Sequence, residues 1–323
     1  MTTTLVYDAI CLTHNTGVGH PERADRVRRM MQTLHDRGLL SCCEMIKPWP
    51  ESDSLMNAII MVHDESYLQR LEQACRDGLP YIDVPDSAIC PESYNAALVS
   101  AAASLAAVES VVLGQAKNSM CLMRPPGHHC ERSSSMGFCL LNNISIAAEW
   151  LLVQRHAGRV AIIDFDVHHG NGTQHIFEDR DDVLYCSVHQ HPMTLYPGTG
   201  YEKEKGAAGT PGVGFTLNVP LMPGAGDDLF LHALDNKILP AVRSYNPDYI
   251  LISAGFDAHY EDPLAQCEMT TEGYEILTRH IMEEAEEICE GRVISMLEGG
   301  YHLQAVADSV TEHVKVMLEF SNS

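Results

Sequence analysis

Asp166 and His168 stand two positions apart in the run Asp164-Phe165-Asp166-Val167-His168-His169-Gly170-Asn171-Gly172. On an extended segment, side chains at i and i+2 point the same way, so this carboxylate and imidazole can reach one ion. Asp257, in Ser253-Ala254-Gly255-Phe256-Asp257-Ala258-His259, is the candidate third ligand. Three protein ligands with an open fourth position suit a catalytic zinc, whereas structural zinc usually closes its shell with Cys and His. The oxygen-rich set also admits iron or manganese. Asp164 shares the face of Asp166 and is a candidate to hold a neighbouring histidine or to bind a further cation.

His128 and His129 follow Arg124-Pro125-Pro126-Gly127. Adjacent histidines are often plain loop residues, but here a rigid turn aims them, because proline locks φ. Beside a metal, one can take a proton from water and the other can give one to a leaving amine, tasks that suit a side chain with an ordinary pKa of about 6.5. Asp164 and Asn171 are the polar candidates to fix their tautomers. Tyr301 follows Gly299-Gly300, where glycine lets the backbone approach closely. Its hydroxyl is placed to stabilise an oxyanion, completing an acyl-transfer set. No Gly-x-Ser-x-Gly elbow is present, which sets a serine hydrolase aside. Cys130 and Cys139 lie near the histidines, and such cysteines are expected only to pack.

Each of these motifs ends a short apolar run. Met120 to Met123 precedes the histidine pair, Val160 to Ile163 the Asp-x-His motif, Tyr249 to Ile252 Asp257, and Val293 to Leu297 Tyr301; Val183 to Cys186 is a fifth run. These predict buried parallel strands. Helices are predicted over Glu22 to Arg37 (entered through Pro21), Tyr67 to Arg76, Tyr94 to Leu113, Ile144 to Gln154, Leu229 to Val242 and Glu272 to Cys289. Strands alternating with helices predict a mostly parallel sheet with helices on both faces. In such sheets ligands bind outside the carboxyl ends of the strands, so loops distant in sequence converge. Glu283 to Glu290 is expected to be a solvated helix face, and glycine-rich Lys203 to Gly214 a surface loop.

The 323 residues are expected to form one α/β domain over 1–323, long enough to bury a large core. With 21 Lys and Arg against 44 Asp and Glu, the formal charge of -23 disfavours nucleic acid and attracts cationic substrates. Eleven cysteines without a CxxC spacing point to a reducing compartment rather than a disulfide framework. Met1 to Gly17 lacks the pattern of a secretory signal, and no run of ~18 apolar residues occurs. A cytoplasmic protein without a membrane partner is expected, or a nuclear one in a eukaryote.

From Gly19-His20-Pro21-Glu22-Arg23 to Tyr301 the chain resembles the zinc-dependent histone deacetylases, in the class II branch that includes the acetylpolyamine amidohydrolases. The resemblance implies the three-layer arginase/deacetylase fold, with zinc on Asp166, His168 and Asp257 and a transition-state tyrosine at Tyr301. It implies pairing of His128 with Asp164 and of His129 with Asn171, with His129 favoured as base and His128 as electrostatic partner or acid. Gly137 and Phe138 match the segment lining the acyl-lysine tunnel, and Tyr196 takes the opposite wall, where phenylalanine is usual. A potassium ion is implied near Asp164, Asp166, His168, Ser187 and Val188, partly through main-chain oxygens. Leu264 matches a rim position where polyamine-selective relatives can carry glutamate. Arg23 falls in an entrance and exit region, giving it a part in acetate release. The implied substrate is an acylated lysine in a peptide or protein, or else a small acylated amine such as an acetylpolyamine; oligomers are compatible with this reading. A non-catalytic acyl-lysine reader is disfavoured because every reactive position is filled, and arginase chemistry would need a second metal.

Overall fold

Val160 to Asp164 is buried at every position, as are Tyr249 to Ala254 and Val293 to Leu297. Strands hidden on both faces dispense with in-out alternation, which explains their continuous apolar runs. In the computed structural model, which describes residues 2–50 and 53–321, they lie at the heart of one sheet. Its strands are β1 (Thr2–Val6), β2 (Glu44–Ile46), β3 (Ala116–Cys121), β4 (Val160–Asp164), β5 (Val183–Gln190), β6 (Thr216–Leu221), β7 (Tyr249–Ala254) and β8 (Val293–Leu297). The order is β2-β1-β3-β8-β7-β4-β5-β6, and every neighbouring pair is parallel. The α/β expectation holds, with a sheet that is parallel throughout its described strands.

That order positions the site. After β3 the chain skips two places to β4, builds β5 and β6 outward, then returns to insert β7 and β8 into the gap. The four strands whose ends carry the reactive motifs are thereby consecutive neighbours, β3-β8-β7-β4, at a switch point where parallel sheets bind ligands.

Several helices differ from expectation for identifiable reasons. The helix Asp25–Asp36 starts three residues late, because Glu22 is drawn into the interior instead of capping it. Leu229 to Val242 is not one helix. It comprises Asp227–Ala233, a wide turn at Leu234–Ile238 and Leu239–Tyr245, the wide turn falling just ahead of Pro240, which cannot donate a backbone hydrogen bond. Within the acidic run Glu283 to Glu290, Glu284 is buried and paired with Arg243. The helix Ser93–Val112 is long and apolar enough to cross a bilayer, yet it is mostly buried against β3, β1 and the helix Asn143–Val153. Its alanines, Ala96 to Ala107, permit that close packing.

Glu22 ties the first helix to the active-site end of the sheet. Arg124 donates to its Oε1 at 2.6 Å and Oε2 at 2.5 Å, Arg26 to Oε1 at 3.2 Å, and all three side chains are fully buried. Burial alone would raise the Glu22 pKa, but Arg124 and then Arg26 hold it down at about 2. Glu22→Ala strands two buried guanidinium groups and is expected to destabilise the fold by roughly 3–5 kcal/mol. The depressed folded pKa means this contribution is complete above the ordinary value of 4.5 and fades as pH falls toward 2. Melting both proteins across that range should show the wild-type advantage shrinking on acidification; a constant offset would contradict the assignment.

Candidate active site

Asp166 and His168 project from the loop after β4, and Asp257 from the loop after β7. The three are buried, with ligand atoms all within 4.8 Å of one another. His168 Nδ1 lies 3.1 Å from Asp166 Oδ1 and 3.0 Å from Asp257 Oδ2. A tetrahedral ion with bonds of ~2.0–2.1 Å places its ligand atoms roughly 3.3 Å apart, so the trio fits a small dication. Electrostatics agree with the spacing. Against burial, Asp166 and Asp257 raise the His168 pKa to about 10, so a proton here balances two carboxylates as an ion would. Backbone amides orient the carboxylates: Gly299 N–H donates to Asp166 Oδ2 at 2.8 Å and Val167 N–H to Asp257 Oδ1 at 2.9 Å.

The two histidines sit with ring centroids 4.0 Å apart in unlike environments. His128 Nδ1 donates to Asp164 Oδ2 at 3.1 Å, an oxygen that also accepts from Tyr185 Oη at 2.9 Å. Burial would discharge His128, but Asp166, Asp164 and Glu298 raise its pKa to about 10. His129 goes the other way, driven well below its ordinary value by burial and by neighbouring His128 and His168. Its Nδ1 is 2.8 Å from Asn171 Oδ1. Because the Asn171 amide nitrogen faces two acceptors, His129 O and Glu131 Oε1, its oxygen must face His129. His129 therefore carries its proton on Nδ1 and keeps a lone pair on Nε2.

Tyr301 enters from the loop after β8. Its backbone N–H donates to Asp262 Oδ2 at 2.7 Å, and the Arg26 guanidinium lies 5.0 Å from its ring centre. Burial and then Asp257 raise its pKa well above 10, so the hydroxyl remains a donor. Together with His129 and His168, Tyr301 lines a cavity of about 230 Å³. Phe138 packs edge-on to Tyr301 and Tyr196 edge-on to His129, with centroid distances of 5.8 and 5.1 Å, while Gly137 and Leu264 complete the lining. Gly137 has a φ of +53°, and a Cβ there would fall 2.2 Å from His129 Cδ2, so only glycine lets this turn approach the histidine.

Several residues had no role assigned from sequence. Glu298, at the end of β8, accepts from the Gly127 and His128 N–H groups at 2.7 and 3.2 Å and so fixes the histidine turn; burial raises its pKa to about 7. Asp262 anchors Tyr301, and Asp86 adds a carboxylate to the cavity lining. Glu298 directly precedes Gly299-Gly300-Tyr301, a signal that could have been used; Asp86 and Asp262 stand in no distinctive pattern. The Arg23 side chain is 46% exposed, pairs with Asp25 and lines a surface depression whose lining shares no residue with the cavity at Tyr301. Arg26 is the arginine beside Tyr301, donating to the carbonyls of Gly300 and Glu298 at 2.6 Å each. Ser187 stands opposite Asp164 in the β4–β5 register, with Val188 next to it. Cys130 and Cys139 are buried, and burial raises both thiol pKa values, which removes them as nucleophiles.

Comparison with known proteins gives a consistent picture. The profile of the histone deacetylase domain matches residues 20–317. A probable deacetylase of Archaeoglobus fulgidus is 38% identical over 304 residues, which span 94% of this chain and 82% of that protein. A histone deacetylase-like amidohydrolase of Pseudomonas aeruginosa is 36% identical over 316 residues, spanning 93% and 81% respectively. The crystal structure of the HDA15 HD domain superposes with a TM-score of 0.91 at 36% identity, covering 99% of this chain and 90% of that one. A match of that extent, centred on a buried Asp-His-Asp metal site, places the chain in the histone deacetylase family, whose members are metal-dependent amidohydrolases.

Proposed function

We propose that the protein hydrolyses the Nε-acyl amide of acyl-lysine in peptides or proteins, with zinc held by Asp166, His168 and Asp257. The observation that carries this reading is the cavity itself: two aromatic rings and Leu264 lead to the ligand trio, with a lone-pair imidazole and a protonated phenol beside it. An uncharged acyl-lysine side chain suits walls that are largely apolar. Bound zinc supplies Lewis acidity and lowers the pKa of water to about 7.

The protein groups then have separable tasks. His129 Nε2 accepts a proton from the attacking water as its oxygen bonds to the acyl carbon. The Tyr301 hydroxyl donates to the carbonyl oxygen as negative charge develops there. His128, oriented by its hydrogen bond to Asp164, stabilises that charge when protonated. As the C–N bond breaks, the proton held by the histidines passes to the nitrogen, releasing amine and carboxylate. Tyr196, in place of phenylalanine, adds a hydroxyl to one wall. The same resemblance leads us to propose potassium near Asp164, using oxygens of Asp164, Asp166, His168, Ser187 and Val188; the burial of Asp164 and its pairing with Ser187 support this reading.

A second reading, hydrolysis of acetylated polyamines, is favoured by Asp86 and by the net charge of -23, which draws cations. Leu264 weighs against it, since a second ammonium group gains nothing from that side chain. Side-by-side kinetics on zinc-loaded protein decide the matter. Acetyl-lysine peptide should show the higher kcat/KM, and preference for acetylspermidine would reverse the assignment. Tyr301→Phe should lower kcat by about 10²–10³-fold, the range for loss of one oxyanion donor. Retention of activity would remove Tyr301 from the mechanism.

A further inference from the structure

The base chemistry proposed for His129 depends on Asn171, and an amide is an ambiguous partner, since its oxygen accepts while its nitrogen donates. As placed, Oδ1 takes the Nδ1 proton and Nε2 stays free. Reversed, the amide would donate to Nδ1, the proton would move to Nε2, and the ring could not accept one from water. The structure contains a device that selects between these states. Asn171 Nδ2 lies 2.5 Å from Glu131 Oε1 and 3.2 Å from His129 O, so a reversed amide would press its oxygen against a carboxylate and a carbonyl. Of the two, the carboxylate is the stronger discriminator, because hydrogen bonds to ionised acceptors are roughly twice as strong as neutral ones.

Glu131 is itself braced. His175 Nδ1 contacts the same Oε1 at 2.8 Å, and that contact raises the pKa of the half-exposed His175, favouring its charged form. The backbone of Glu131 is pinned at both ends, its N–H donating to Ser134 O at 3.0 Å and its carbonyl accepting from His63 Nδ1 at 3.0 Å. His63 is buried, and its Nε2 accepts from Asn142 N–H at 2.9 Å, which fixes its own tautomer. A hydrogen-bonded line thus runs from the cavity through Asn171 and Glu131 to the surface at His175.

We infer that Glu131 is a positioning residue of the reaction: its carboxylate, braced by His175, sets the direction of the Asn171 amide and thereby the base-competent tautomer of His129. This rests on the reading of His129 as base. Glu131 lines no part of the substrate cavity and holds no metal ligand, so its effect is confined to proton transfer.

The test is a double-mutant cycle on the zinc-loaded enzyme with acetyl-lysine peptide. Glu131→Ala is expected to lower kcat about tenfold or more, the scale of a hydrogen bond to a charged group, with KM changed less than about twofold. Glu131→Gln, which retains an acceptor oxygen, should cost about threefold or less. In the Asn171→Asp background the requirement disappears, because a carboxylate presents an oxygen to His129 whichever way it turns. There a second carboxylate at Glu131 only repels, so adding Glu131→Ala should leave kcat unchanged or raise it. Glu131→Met, similar in volume and without an acceptor, is run in parallel so that a packing loss peculiar to alanine does not decide the result. A loss in the Asn171 enzyme with no loss, or a gain, in the Asn171→Asp enzyme supports the inference. Equal losses in both, or no loss in the Asn171 enzyme, overturn it. His129→Ala separates the two readings: if that variant keeps its turnover the base assignment fails, whereas if it is inactive and the cycle is additive only the role of Glu131 fails.

Discussion

His129→Ala is expected to reduce kcat on acetyl-lysine peptide by about 10²–10⁴-fold, the range for removal of a general base, with the metal still bound. The effect follows from one lone pair. Asn171 accepts the Nδ1 proton at 2.8 Å, and burial beside His128 and His168 keeps the ring neutral, so Nε2 is an acceptor facing the cavity. His128 is the opposite case: Asp166, Asp164 and Glu298 raise its pKa, and its Nδ1 is committed to Asp164 at 3.1 Å. His128→Ala should therefore lower kcat by removing positive charge, without abolishing the uptake of a proton from water. Steady-state kinetics with metal stoichiometry and far-UV circular dichroism check both variants. Turnover within a few-fold of wild type for His129→Ala would exclude it as base.

Gly299→Ala should abolish metal binding while leaving the sheet intact. A Cβ at this position would fall 2.0 Å from Asp257 Oδ2 and 2.6 Å from Asp166 Oδ2, far inside van der Waals contact. The two ligand carboxylates would have to part, and the Gly299 N–H that orients Asp166 would shift with them. A catalytic metal site tolerates little displacement, because each ligand distance is fixed within about 0.2 Å. Metal analysis after dialysis should find the variant empty and the wild type loaded, and added zinc should restore activity only to wild type stripped by a chelator. A variant that retains stoichiometric metal would show that the ligands are not seated as described. Ser295→Ala, on β8 just before this loop and away from the ligands, controls for general loss of β8.

How much was legible in the sequence follows the range of the forces involved. Asp166 and His168 could be paired from their spacing, because a two-residue backbone repeat is local and survives without knowledge of the fold. The turn that aims His128 and His129 was equally local, as was the alternation of strands and helices. Helix starts were less legible: Pro21 signalled an entry, yet Glu22 is pulled inward by Arg124, which is 102 residues away. Arg23 and Arg26 are indistinguishable by composition, and only the packing of the first helix against the β8 loop sends one to solvent and the other to Tyr301.

The sequence by itself determined the α/β class, the strand-end placement of the reactive motifs and the pairing of Asp166 with His168, all of which rest on patterns within a few residues, and it named Asp257 as the third candidate ligand although that residue meets the pair only across 89 residues of chain. Tertiary structure alone decided that β3, β8, β7 and β4 are neighbours, that Glu298 lies under the histidine turn, and that Glu131 orients Asn171. Those outcomes depend on strand order and on burial of charge between segments 40 to 171 residues apart. Such interactions have no periodic signature along the chain, because each exists only once water has been excluded and the partner strand is in place.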